Sequence, residues 1–306
     1  MRSFVFAMLA LGACLAACGL QVIGGEEDGD PSGGSPSAST AEDGAADESD
    51  AISAEGGPST DGASEASDND AAVTGPGSAL RFASNAYVQI GAVPIPADFT
   101  MEAWVRPSAF GSERYIVAKD RNDENDDQFR LGHDDEGHLF FMMSDDEGED
   151  HGLRSDESGY ALLSPAALPL GTWSHVAVSK TGAQFVLYVD GIAVRTVTAT
   201  GSLEHDEPSI AFRIGARLAA NGNGPHGGCV GDSDEVRLWN GGRTAAEIAS
   251  ARGAPLEPSA PGYARLVAYY RFDEGTGSTA APTVGTFSGS FMGGGGGPKW
   301  IPADWP

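Results

Sequence analysis

The residues that could do chemistry in this 306-residue chain are few and scattered. His133 and His138 stand on either side of a short Asp-Asp-Glu-Gly turn. At that spacing two imidazoles can share a metal ion, or simply end two strands. His175 lies two residues after Trp173, so the pair shares a strand face; a histidine there reads as a core residue bonded to backbone rather than as a base. Cys229 is a lone thiol. A nucleophilic cysteine needs a base beside it to become a thiolate, and the sequence identifies none. Neither G-x-S-x-G nor H-E-x-x-H occurs. Carboxylates gather instead at 120–127 and 144–158. Such oxygen-dense stretches suit a hard cation, because Ca²⁺ takes six to eight oxygens from carboxylates, amides and carbonyls. The first lacks the ordered spacing of an EF-hand loop, and a solvated loop is the plain alternative.

The elements that must position these residues are strands. Gly171 to Val197 reads as a three-strand antiparallel meander with apolar side chains on both faces, expected inside a two-sheet stack. Lys180 to Ala183 turns its first corner. Asp190-Gly191 turns the second, a dipeptide suited to a hairpin whose two central residues both need φ > 0. Phe99 to Arg106 alternates apolar and polar and stops at Pro107. Further strands are expected at 79–82, 87–90, 115–119, 129–133, 138–143, 210–215, 233–240 and 266–272. Thr244 to Glu247 is a capping box that opens a short helix through Ala251. Many short strands with one short helix define an all-β sandwich or jelly roll. Trp104, Trp173 and Trp239 have apolar neighbours and are expected in the core; Trp300 and Trp305 lie near the end and suit the cover of a sheet edge.

The formal net charge of −26 argues against nucleic acid, whose phosphates need Lys and Arg. Of the three cysteines, Cys14 and Cys18 sit in or at the end of an apolar N-terminal run, so no disulfide framework can form with Cys229 alone. That run follows Met1-Arg2-Ser3 and is shorter than the about 20 residues of a membrane span. It reads as an export signal over 1–17. Leu15-Ala16-Ala17-Cys18-Gly19 resembles the bacterial lipobox, which implies acylation of Cys18 and lipid anchoring, with Gly19 pointing to the outer membrane or cell surface. Residues 18–77 are then expected to be a disordered acidic tether, since 26–77 holds no Lys or Arg and almost no large apolar residue. Residues 78–306 form the folded domain.

Several ordered motifs in that domain carry a resemblance. They are Phe99-Thr100-Met101-Glu102-Ala103-Trp104-Val105, Gly171-Thr172-Trp173-Ser174-His175-Val176-Ala177 and Leu187-Tyr188-Val189-Asp190-Gly191. Asp234-Glu235-Val236-Arg237-Leu238-Trp239-Asn240 and Tyr270-Arg271-Phe272-Asp273-Glu274-Gly275 follow. Together they resemble the laminin G-like, concanavalin A-like jelly roll of bacterial surface proteins. The resemblance implies two antiparallel sheets whose first and last strands meet. It also implies a structural Ca²⁺ held by a late-strand aspartate, here Asp234, with carbonyls from the start of the domain. Enzymes of this fold carry catalytic carboxylates as E-x-D-x-x-E on one strand face, as a retaining glycosidase requires; no strand here has that spacing. The reading is therefore a non-catalytic binding module on a surface lipoprotein, with a glycan or a surface protein as ligand. A structural or adhesive spacer is the alternative, and a carbohydrate-active enzyme the third.

Overall fold

The computed structural model describes residues 77–120, 129–144, 153, 161–199, 210–218 and 224–306. The expected signal, Cys18 and the tether up to residue 76 lie outside the described residues, as do the acidic stretches 121–128 and most of 145–160. In chain order the first strands are β1 (Ser78–Phe82), β2 (Tyr87–Gln89), β3 (Phe99–Pro107), β4 (Arg114–Lys119), β5 (Phe129–His133), β6 (His138–Met143) and β7 (Leu163–Ala167). The meander supplies β8 (Ser174–Thr181), β9 (Gln184–Val189) and β10 (Ile192–Thr198). Short β11 (Arg213–Ile214), β12 (Arg217–Leu218) and β13 (Pro225–His226) precede the long β14 (Gly231–Asn240). After α1 (Ala245–Ala251) come β15 (Leu266–Tyr270), β16 (Thr279–Ala280), β17 (Gly289–Met292) and β18 (Lys299–Pro302).

These strands build two large antiparallel sheets. The first runs β10-β9-β8-β3-β14-β1-β18, with β15 pairing the second half of β14. The second runs β16-β17-β2-β11-β4-β5-β6-β7. The alternation of β3 decides the layering. Phe99, Met101, Ala103 and Val105 enter the core between the sheets, where Phe99, Phe129, Phe141 and Phe185 stack with ring centroids 5.7–6.3 Å apart. Thr100, Glu102, Trp104 and Arg106 point to the outer face. The first and last strands meet, with Ser78 facing Pro302 and Arg81 facing Lys299.

The meander differs from expectation in its position. It lies at one end of the first sheet, and β10 is an exposed edge strand with Ile192 open to solvent. The apolar outer face of β8 and β9 is buried by α1 instead of by a second sheet, since Ile248 packs on Ala177 and Tyr188. Asp190 and Gly191 both take positive φ, 52° and 79°, as the hairpin requires. Thr244 caps α1, and Glu247 closes the capping box. The strand expected over 210–215 shrinks to Arg213–Ile214.

Candidate functional site

The two outer faces of the sandwich differ in kind. On the first sheet the strand register lines up four rows of outward side chains. They are Arg81–Asp232–Arg106, Asp234–Trp104–His175, Arg237–Glu102–Ala177 and Trp239–Thr100–Ser179. A bulge in β14 keeps Asp234 and Arg237 on this same face. Its extra residue, Glu235, takes φ 53°, a left-handed conformation that an L-residue with a Cβ adopts only at a cost. A polar row on an outer face would normally meet water, yet Thr100, Glu102 and Trp104 are fully buried and Arg106 is only part-exposed. Segment 251–256 and α1 cover one half. The indole of Trp104 donates to Arg252 O at 2.8 Å, and Arg237 donates to Ala251 O and Ala254 O. Residues 303–306 cover the other half. Trp305 stacks on Trp104 at 5.4 Å and donates to Asp234 Oδ2 at 2.6 Å. Trp173 donates to Asp304 at 2.6 Å beneath the Arg106 guanidinium.

Glu102 is the centre of this covered face. Its Oε1 accepts from Trp239 Nε1 at 2.9 Å, Arg243 Nη1 at 3.2 Å and Arg237 Nη1 at 3.3 Å. Burial by itself raises a carboxyl pKa, but His175 when protonated, then Arg237 and Arg243, then the Trp239 indole N–H outweigh it and hold Glu102 below its usual range. His175, 4.0 Å from Glu102 Oε2, has its pKa lowered to about 4, chiefly by burial, so the ring is neutral at pH 7. At pH 7 the cations facing Glu102 are then the guanidinia of Arg237 and Arg243. Glu235 is paired in turn with Arg237 and accepts from the Tyr269 hydroxyl. Glu102 and Glu235 are thus buried and bound to arginine, without the solvent access a glycosidase pair needs. Beside α1 lies a cavity of about 240 Å³ lined by Trp239, Arg243, Glu247, Leu256 and Arg265. Both its arginines are tied to backbone carbonyls and Glu247, which fixes α1 to the sheet.

The second sheet presents a different face. Gln89, Arg213, Ala118, Arg130 and Met142 form one cross-strand row. Asp120 lies just past β4, two residues after Ala118. Arg213 Nη1 lies 3.3 Å from its Oδ1, and Arg130 Nη2 and Arg217 Nη1 lie 3.6 and 4.0 Å from its Oδ2. The guanidinia of Arg130 and Arg217 sit over the Tyr115 ring at 5.5 and 5.4 Å. Tyr115 packs edge-on against Phe140 and beside Met142. Two planar forks thus lie over an aromatic ring, and all three share the Asp120 carboxylate; guanidinia can hydrogen-bond hydroxyls or carboxylates bidentately. Arg130 and Arg213 are only 7% and 6% exposed. Sequence reading missed this row, since its members come from five strands scattered along the chain and no local motif marks them.

The residues singled out from sequence take these places. Trp104 and Trp239 are buried as expected, but on the outer face of the first sheet and not between the sheets. Trp300 covers an edge, stacking on Phe291 and donating to Gly277 O. His133 is buried with Nδ1 at Asp134 O, while His138 pairs with the Asp134 carboxylate, so the two histidines face different partners. His175 is a buried histidine, but neither ring nitrogen has a hydrogen-bond partner, unlike the backbone-bonded ring expected. Cys229 is buried, and its thiol is pushed up to about 12 chiefly by burial, which keeps it protonated.

Both carboxylate oxygens of Asp234 are taken up by N–H donors. Its Oδ1 accepts from Glu235 N at 2.9 Å and its Oδ2 from the Trp305 indole, so N–H donors stand where a cation needs oxygens. Burial, with Glu235 next, raises its pKa well above the usual carboxylate range. Among the described residues no three His, Cys, Asp or Glu side chains gather as metal ligands.

Two antiparallel sheets of this topology, closed by the meeting of first and last strands, define a jelly-roll domain. The chain belongs to the concanavalin A-like lectin/glucanases superfamily, whose laminin G-type family model matches residues 82–249. Among solved structures it is similar to a Bacteroides ovatus ATCC 8483 protein to which carbohydrate binding has been assigned. The identity is 19% and the TM-score 0.52, over 75% of this chain and 61% of that one. It is also similar to the heptameric SAP-like pentraxin of Limulus polyphemus, at 16% identity and TM-score 0.44, over 57% of this chain and 81% of the pentraxin. A third likeness is to the CBM40 domain of the Ruminococcus gnavus IT-sialidase bound to α2,3 sialyllactose. There the identity is 14% and the TM-score 0.42, over 56% of this chain and 95% of that domain. No curated protein matches the chain.

Proposed function

We propose that the domain is a non-catalytic carbohydrate-binding module, displayed outside the cell on an acidic tether lipidated at Cys18. The observation that carries this reading is the asymmetry of the two outer faces. The middle of the first sheet's face is filled by the chain's own α1, segment 251–256 and residues 303–306, with Arg81 left open at its rim. The second gathers Arg130, Arg213 and Arg217 around the Asp120 carboxylate, two of them over the buried Tyr115 ring, and guanidinia are side chains that hydrogen-bond sugar hydroxyls and carboxylates. The burial of Glu102 and Glu235 in arginine pairs supports a binding role over hydrolysis.

The test is a glycan array probed with the full chain carrying Cys18→Ser, beside the same chain with Arg213→Met. Binding of a defined glycan, weakened at least about tenfold by Arg213→Met at an unchanged melting temperature, supports the module. Equal binding by both chains moves the site off this face. One observation favours the spacer reading, namely the small exposure of Arg130 and Arg213; an array without any bound glycan would decide for it. Palmitate label that persists in Cys18→Ala would remove the lipid anchor.

A further inference from the structure

We propose that the segment Lys299–Pro306 is exchangeable, so that the cradle it fills on one copy of the chain accepts the same segment from a second copy. The segment changes sheets. β17 belongs to the second sheet and β18 to the first, and residues 293–298, five glycines and a proline, carry the chain across. Four of the five glycines take positive φ. A side-chain carbon added at Gly294 or Gly295 would meet nothing within 4 Å, so the middle of the crossover touches little. Glycine is also the residue that loses most freedom when fixed. The ends of the crossover are packed, Gly293 against Asn85 and Gly297 against Phe291, and Lys299 Nζ donates to Gly295 O at 2.6 Å, so its middle is where the chain is freest to take another course.

The hold comes from the segment's own side chains and from one edge pairing. β18 pairs only with β1, over four residue pairs. Beyond it, Asp304 Oδ1 accepts from the Trp173 indole at 2.6 Å, and both Asp304 oxygens accept from Arg106 Nη1 at 2.9 and 3.0 Å. Trp305 fills the space over Trp104 and bonds to Asp234. An emptied cradle would expose Trp104 and Trp173 and leave the buried Asp234 without its indole donor, which is costly. The segment of a second copy restores each of these contacts, because it has the same sequence. Closed and exchanged forms then differ only at the crossover, the condition for swapping an element between protomers. The occupant is thus a second copy of this chain, and the surface is the β1 edge with the cradle around Trp104.

The test uses two full-length chains in which Cys14 and Cys18 are serine. One carries Ser78→Cys and the other Pro302→Cys. These positions face each other between β1 and β18, and facing antiparallel residues, at about 4.5–5.5 Å between Cα atoms, are within disulfide reach. Cys229 is buried and stays protonated, so it does not compete. The chains are mixed, held a few degrees below their melting temperature, cooled and oxidised. A covalent heterodimer forms when β18 of one chain lies on β1 of the other. Ser250→Cys, on the exposed face of α1, mixed with Pro302→Cys sets the level due to collision. The expected yield is at least about tenfold above that level. Deleting residues 294–296 shortens the crossover by about 10 Å, strains the closed form and should raise the yield further. A native-hinge pair that stays at the collision level overturns the proposal. A yield unchanged by the deletion overturns the role given to the crossover.

Discussion

Glu102→Gln tests whether the covered face of the first sheet is held by charge. Glutamine keeps an oxygen for Trp239 Nε1 but removes the carboxylate that sits between Arg237 and Arg243. Arg237 retains Glu235, whereas Arg243 is left with backbone acceptors such as Glu247 O. Breaking a buried pair from one side costs about 3–5 kcal/mol, because the remaining charge stays desolvated. For a domain of this size, 1 kcal/mol moves the melting temperature by about 2–4 °C, so the expected drop is roughly 6–20 °C. Thermal melts and urea titrations at pH 7 measure it, with an unchanged m-value as the sign that the fold persists. Glu102 has a lowered folded pKa, so its contribution is present above the unfolded value and is lost as pH falls through the folded one. The gap between wild type and variant should therefore close at strongly acid pH. Replacing Arg243 by Met as well removes the orphaned charge and should shrink the cost of the glutamine. A single variant within about 1 kcal/mol of wild type, at neutral pH, refutes the argument.

Other outcomes follow from the same face. His175, lowered to about 4 from an ordinary 6.5, takes a proton in the unfolded chain before it does in the fold. Stability should fall as pH drops from about 6.5 to 4, by roughly 3 kcal/mol at most, and His175→Phe should flatten that part of the profile; an unaltered slope would place the titration elsewhere. Trp173→Ala removes a buried ring that also donates to Asp304, and should cost about 3–5 kcal/mol. A normal melting curve for that variant would contradict the packing described. Any rise in melting temperature on adding millimolar Ca²⁺ should survive Asp234→Asn, because N–H donors occupy both its oxygens. A rise that disappears in the variant would restore Asp234 as a metal ligand.

Strands were legible wherever a two-residue period or a turn dipeptide is local. Phe99 to Arg106, the Asp190-Gly191 hairpin and the Thr244–Glu247 box all act within a few residues. The polar half of β3 misleads for the same reason. Thr100, Glu102 and Arg106 look like a solvated face, and what covers them arrives about a hundred and fifty to two hundred residues later, in α1, segment 251–256 and the Trp305 segment. Trp104 and Trp239 were placed inside from their apolar neighbours, though burial and inner-face position are separate matters on a sheet covered on both sides. The arginine row of the second sheet had no readable signal, because register across β2, β11, β4, β5 and β6 creates it.

The pairing of β1 with β18 also fixes how the domain bears load. Ser78 faces Pro302, and Ala303 N reaches Gly77 O at 3.4 Å, so the start of β1 and the end of β18 share one corner, before residues 303–306 pass over Trp104. Tension applied through both of those points pulls along the inter-strand hydrogen bonds, which lie perpendicular to antiparallel strands, and breaks them one after another from that corner. The domain then opens like a zipper at low force.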